Sequence, residues 1–207
     1  MVKVTAPVMS LEASGSLAGA LVFSKWKGRP YVRSLVRPAN PRSPGQTSNR
    51  ARMKFLSGSH PAKDSQEMLS WLTIAESLKI SPFNAFVRGN MRDWQSFLAP
   101  TQATPADRTG TPPGIPTLTV TPGQRRADLA IVAGSPGPDW GYIVHRALTT
   151  AFVPGPTNVV AVVAGGAATN YWTDSPLLPD EYFYVATQFN AVGLMGDPSL
   201  EDSGVVT

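Results

Sequence analysis

Catalysis needs acids, bases or nucleophiles within hydrogen-bond reach of one another, and this chain is poor in them. Its two histidines stand apart, His60 in a Ser-His-Pro loop and His145 beside Arg146 in a run of β-formers. A triad with Asp139 or Asp174 can be drawn around His145, but no spacing selects it among the drawings that a Ser-rich chain permits. Two lone histidines without a His-x-x-x-His pair do not make a zinc site. The absence of cysteine removes thiolate ligands and disulfides together. Asp180-Glu181 is a paired carboxylate where a turn enters a strand, the setting of a solvated turn. Gly15-Ser16-Leu17-Ala18-Gly19 lacks the lysine and the spacing of a phosphate cradle. The expectation is a protein that is not an enzyme and uses no metal and no cofactor.

What remains is charge. From Leu17 to Lys54 the chain carries nine basic residues and neither Asp nor Glu. Such self-repulsion is costly unless an anion or a fixed partner neutralises it. The expected interface is Lys25, Trp26, Lys27, Arg29, Tyr31, Arg33, Arg37, Arg42, Arg50 and Arg52. Three uses compete: docking on an acidic protein surface, lying against DNA through sequence-independent phosphate contacts, or a solvated face balanced by Asp64, Glu67 and Glu76. Arginine interleaved with Trp26 and Tyr31 favours the first, since Arg and aromatics are enriched at protein interfaces. Stacking on single strands uses the same residue types, so a nucleic-acid-binding module stands as the alternative.

The elements that position these residues come next. A chain of 207 residues makes one large domain or two small ones. Its 20 prolines and 18 glycines point to turns and short strands. No apolar run approaches the roughly 18 residues of a membrane span. The start, MVKVTAPVMSLEASG, lacks the apolar centre of a secretory signal, so synthesis and retention in the cytosol are expected. Residues 1–100 hold 14 Lys and Arg against 5 Asp and Glu, a formal +9, and residues 101–207 hold 4 against 9, a formal −5. Such asymmetry marks two units with different jobs.

In the first half, residues 1–15 read as an extended arm. A hairpin is expected with Ser16–Trp26 paired to Arg29–Val36 about Lys27-Gly28, Trp26 and Tyr31 meeting across it. Pro38 and Pro41 end it. Ser43-Pro44-Gly45-Gln46 is a capped helix start that runs to about Ser57 and stops at Gly58. Asp64 with Glu67 opens a second helix, and Ser81-Pro82 a third whose Phe83, Phe86, Val87, Asn90, Met91, Trp94 and Phe97 share one face. That face is a core stripe.

In this order, SGSLAGALVFSKWKGRPYVR, RPANPRSPGQTSNRARMKFL, a Trp-containing helix and SPFNAFVRGN resemble a family of small bacteriophage virion proteins, over about residues 10–95. The resemblance implies a structural role in a phage particle without saying where.

Residues 100–116, PTQATPADRTGTPPGIP, read as a stiff linker of Pro, Thr, Ala and Gly. Beyond it, short β segments are expected near Thr117–Thr121, Ala127–Ala133, Gly141–Ala147, Val159–Val163, Asn170–Thr173, Glu181–Phe189 and Gly204–Thr207, the pattern of a β-sandwich. GYIVHRA, LLPDEYFYVATQFNAVG and GDPS resemble parts of a fibronectin type III domain, spanning about Pro113–Thr207. The resemblance makes Tyr182 the tyrosine of the corner motif. It departs in the second strand, RRADLAIVA, which has no tryptophan, so Leu129 or Ile131 must fill that volume with help from Trp140 or Trp172. No Arg-Gly-Asp tripeptide occurs.

The fold expected is therefore two-domain: a small α+β N-terminal domain (β-hairpin plus about three helices) over 1–99, a linker over 100–116, and an all-β fibronectin type III-like sandwich over 117–207. The function expected is a structural component of a bacteriophage virion, synthesised in the host cytoplasm. Its N-terminal domain docks onto an acidic surface of a connector, tail or capsid protein, in a symmetric multi-copy assembly. The sandwich is displayed outward, either binding a host-surface glycan weakly or spacing its neighbours. DNA contact is the less favoured use.

Overall fold

The computed structural model describes residues 15–17, 19–26, 29–36, 42–61 and 65–207. The Lys27-Gly28 turn, Pro38, Pro41, the Asp64 cap and the arm before Gly15 lie outside them. The chain divides into two compact units, Met1–Pro41 and Arg42–Thr207.

The first unit holds three strands, β1 (Gly15–Leu17), β2 (Leu21–Trp26) and β3 (Arg29–Ser34), in an antiparallel sheet of order β1-β2-β3. The expected two-strand hairpin is corrected to a meander. Its first arm bends near Gly19, whose φ of 66° suits a residue without a Cβ, and Leu17 pairs back with Leu21. The β2–β3 register sets Trp26 opposite Arg29 and Tyr31 opposite Ser24. Trp26 and Tyr31 are therefore not direct cross-strand partners. No described side chain of this unit is buried.

The second unit begins with α1 (Pro44–Gly58), α2 (Gln66–Leu78) and α3 (Pro82–Gln95). Pro44 takes the first turn of α1, where its missing N–H costs nothing. The Ser43 hydroxyl makes no cap bond, contrary to the capping box expected there. α2 is capped by Ser65, whose Oγ accepts the Met68 N–H at 3.2 Å. Ser81 caps α3 in the same way, accepting from Asn84 at 3.2 Å.

Seven strands follow: β4 (Thr117–Gly123), β5 (Arg126–Val132), β6 (Gly141–Ala147), β7 (Val159–Ala164), β8 (Thr169–Asp174), β9 (Asp180–Phe189) and β10 (Asp202–Val206). They form antiparallel sheets of order β4-β5-β8 and β10-β9-β6-β7, a fibronectin type III-like sandwich. Leu118, Leu129, Ile131, Tyr142, Val144, Tyr184 and Val206 fill the space between the sheets. Leu129 and Ile131 of β5 are buried in this core, and Trp172 packs against it. Trp140 does not, because it belongs to a different core. The Tyr182 hydroxyl donates to the Leu178 carbonyl at 3.1 Å, which is the bond of a tyrosine corner.

That other core lies on the far face of the four-stranded sheet. Phe55, Leu56, Trp71, Phe86 and Trp94 of the helices pack there with Trp140, Ile143, Val159 and Phe189. Phe55 sits at its centre, with ring centroids 5.3 Å from Trp140, 5.6 Å from Phe189 and 6.2 Å from Trp94. The unit thus has three layers: sheet, sheet, helices. This corrects the expected domain boundary at 100–116, because the helices share their core with the sandwich.

The segment expected as a linker is a strap fastened at both sides. Asn90, fully buried on α3, donates to the Thr101 carbonyl at 3.0 Å and accepts the Thr101 N–H at 2.6 Å. The Trp71 indole donates to Gln102 O at 2.6 Å, while the Gln102 N–H donates to Ala191 O at 3.0 Å. Arg108 bonds Gly193 O at 2.8 Å and pairs with Asp93 at 2.8 Å. Among the described residues no helix is long and apolar enough to cross a membrane.

Candidate interaction surface

The expected interface residues are distributed over both units. Lys25, Trp26 and Arg29 lie in β2 and β3, and Lys27 and Arg37 fall outside the described residues. Tyr31 is 40% exposed and Arg33 is exposed on the same strand, beside Val32 at 53%. In the second unit Arg42 is exposed just before α1, and Arg50 is exposed on it.

Arg52 is a correction, because it is buried to 2% exposure. α1 turns this side chain toward the sandwich, where Nη2 donates to the Pro156 carbonyl and the guanidinium lies 5.9 Å from the Trp94 ring centroid. Ser48, one turn earlier, donates to the same carbonyl at 2.6 Å. Burial pulls the guanidinium below the ordinary arginine range. The aliphatic stem packs while the head finds an oxygen and a π face. Arg52 fixes α1 to the loop before β7 and offers nothing to a partner.

The residues considered for chemistry are held apart. His145 is fully buried on β6 beside a bulge after Val144. Its Nδ1 lies 2.8 Å from Asn158 Oδ1, which also accepts the Gly155 N–H. That oxygen is an acceptor, so His145 donates from Nδ1, and its Nε2 is buried without a hydrogen-bond partner. Burial pushes its pKa down to about 4. Asp174 belongs to another group, accepting from Arg146 at 2.6 Å and from the Tyr184 hydroxyl at 3.1 Å. No triad forms between them. His60 is caught edge-on by Phe83 and Phe86, with centroids 5.0 and 5.5 Å away. Asp180 and Glu181 are exposed at the start of β9, and Glu181 accepts from Ser203 at 3.2 Å. The described residues contain no group of three or more His, Cys, Asp or Glu able to hold a metal.

A feature that sequence reading missed lies where α2, α3 and the strap meet. A cleft of about 420 Å³ opens there, lined by Trp71, Leu78, Leu98, Arg88 and Arg92 among others. It is shaped by Gly89, because a Cβ at that position would come within 2.6 Å of the Trp71 ring. Its signal in the sequence was the pair Arg88 and Arg92, spaced one helical turn apart. Asp93 is already committed to Arg108; burial raises its pKa and the neighbouring guanidinium opposes that shift.

The chain matches no protein-family model and no curated protein. Among solved structures it is similar to an Fn3-like protein from Clostridium thermocellum, at 20% identity over 47% of this chain and 93% of that one, with a TM-score of 0.34. It is also similar to the chicken CNTN1 FN1–FN3 domains, at 17% identity over 46% of this chain and 32% of that one, TM-score 0.36. A β-1,2-glucanase from Parabacteroides distasonis shares 15% identity over 48% of this chain, TM-score 0.39, and the match spans 13% of the glucanase.

Proposed function

We propose that this chain is a non-enzymatic structural component of a bacteriophage particle, docked through its basic β-meander onto an acidic neighbour and repeated in a symmetric assembly. One observation carries the docking: the meander has three strands and no described side chain that is buried. A sheet of that size needs an apolar face packed on something to be stable in water. Leu21 and Val32 share one face by the β2–β3 register and are 39% and 53% exposed, which supplies such a face. Tyr31 and Arg33 are exposed on the opposite face, and Arg33 sets an acidic sign for a partner there. The ordered motifs over residues 10–95 support the phage setting.

The test is incorporation. In particles assembled with the Arg29→Ala, Arg33→Ala, Arg37→Ala variant, the chain is expected to be lost from purified virions while its thermal unfolding stays unchanged. Normal incorporation would return the basic stretch to a solvated face. Duplex DNA binding that falls about 10³–10⁵-fold between 50 and 200 mM salt would support the nucleic-acid-binding module instead.

A further inference from the structure

The cleft between α2, α3 and the strap has the wrong chemistry to stay open. Leu78 and Leu98 in its lining are 42% and 44% exposed. Arg88 and Arg92 also line it and are exposed one turn apart on α3, a like-charge pair that is unfavourable on a helix. Among the described residues neither makes an ion pair. An apolar knob that brings a carboxylate with it would satisfy both features.

The chain carries such a knob in Gly196-Asp197-Pro198-Ser199-Leu200, before β10. Leu200 is 89% exposed, the highest value among the large hydrophobic side chains described. Asp197 beside it is also exposed. The loop is held firmly. The Ser199 N–H donates to Ala186 O at 2.8 Å, and its hydroxyl accepts from the Ala186 N–H at 3.0 Å. Glu201 accepts from the Thr150 hydroxyl at 2.7 Å and the Ala151 N–H at 3.1 Å. Such anchoring keeps Leu200 projecting and lowers the entropy lost on docking.

The knob loop runs alongside β9, its Gly196 N–H donating to Gln188 O at 2.9 Å and its Ser199 N–H to Ala186 O at 2.8 Å, with Leu200 following toward the start of that strand. The strap bonds Ala191 and Val192, just past the last residue of that strand. Glu201 bonds residues just past the end of antiparallel β6, whose Ala147 pairs with Phe183 near the start of β9.

We propose that a second copy of this chain occupies the cleft: its Leu200 sits on Trp71, Leu78 and Leu98, and its Asp197 faces Arg88 and Arg92. Knob and cleft are separate patches, so copies close as a two-fold pair if both knobs reach both clefts, as a ring if the rotation per copy closes, and otherwise run on as a filament. It uses none of the meander's residues and stands or falls apart from the docking proposed above.

The test is sedimentation of the full chain against two variants, Leu200→Glu (no knob) and Arg88→Glu/Arg92→Glu (no cleft). Wild type is expected to show concentration-dependent association. Each variant alone is expected to associate at least about 30-fold more weakly, the effect of losing a hot spot. An equimolar mixture of the two restores one good contact, between the intact cleft of the first and the intact knob of the second, so it gives a heterodimer and nothing larger. All the substituted side chains are exposed, and matching circular dichroism spectra check the fold. A wild type that stays monomeric, variants that associate as it does, or a mixture without heterodimer would overturn the proposal.

Discussion

Arg52 and His145 lie in the core that joins the helices to the four-stranded sheet, and each sets a measurable stability term. Arg52→Ala removes the bond to Pro156 O and the contact with Trp94, and strips packing from the stem. The expected loss is about 2–3 kcal/mol in urea unfolding, against less than about 0.5 kcal/mol for the exposed Arg33→Ala. Equal effects would contradict the assignment of Arg52 to the core. His145 is expected to make stability depend on pH. Its folded pKa of about 4 lies below the ordinary 6.5, so between those values the unfolded chain binds a proton that the folded chain excludes. The contribution is fully present above pH 6.5 and is lost as pH falls to 4, amounting to about 3 kcal/mol. His145→Gln should flatten the unfolding free energy over that window by about this amount relative to wild type. Gly89→Ala sets two effects against each other. Alanine improves helix propensity by about 1 kcal/mol, but its Cβ would press into the Trp71 ring, and overpacking costs about 1–3 kcal/mol. Net destabilisation is expected.

At the scale of elements, the strap is held by bonds from a few side chains, Asn90, Trp71 and Arg108, so its strength is concentrated in a few residues. Asn90→Ala leaves the Thr101 N–H and carbonyl without their partner, a loss of about 2–4 kcal/mol, and should raise hydrogen exchange over residues 101–108. Most elements were legible because they are locally determined. Gly, Pro and Asp punctuate the seven sandwich strands, and Ser81-Pro82 starts α3 as such a pair should. The docking of helices onto the sandwich was not visible as a boundary. Yet β9 shows its sign: from Tyr184 to Phe189 every residue is buried, as in a strand covered on both faces rather than one. Alternation fails there because α1 and α3 cover one face and β4-β5-β8 the other. The strap escapes sequence reading for a related reason. A Pro- and Thr-rich composition tells how poorly a segment folds alone, not whether Asn90, Trp71 and Asp93 stand ready to bond it. Arg52 falls among the expected interface residues because charge in a sequence does not say which face of α1 it occupies.

At the scale of the whole molecule, the second unit should unfold as one. Truncation after Pro100 would uncover Phe55 and Trp94 by removing Trp140, Ile143 and Phe189, so the fragment 1–100 is expected to lack cooperative unfolding, while the full chain gives a single transition for helices and sandwich. Independent melting of the two parts would contradict the shared core. The first unit differs in kind, a three-stranded sheet proposed above to dock on an acidic neighbour. The most direct test of that claim is a density map of purified phage particles that carry this chain. The account predicts multiple symmetric copies in which the β1–β3 sheet is buried against an acidic neighbour. Particles without the chain, or copies whose β1–β3 sheet faces solvent, would contradict it.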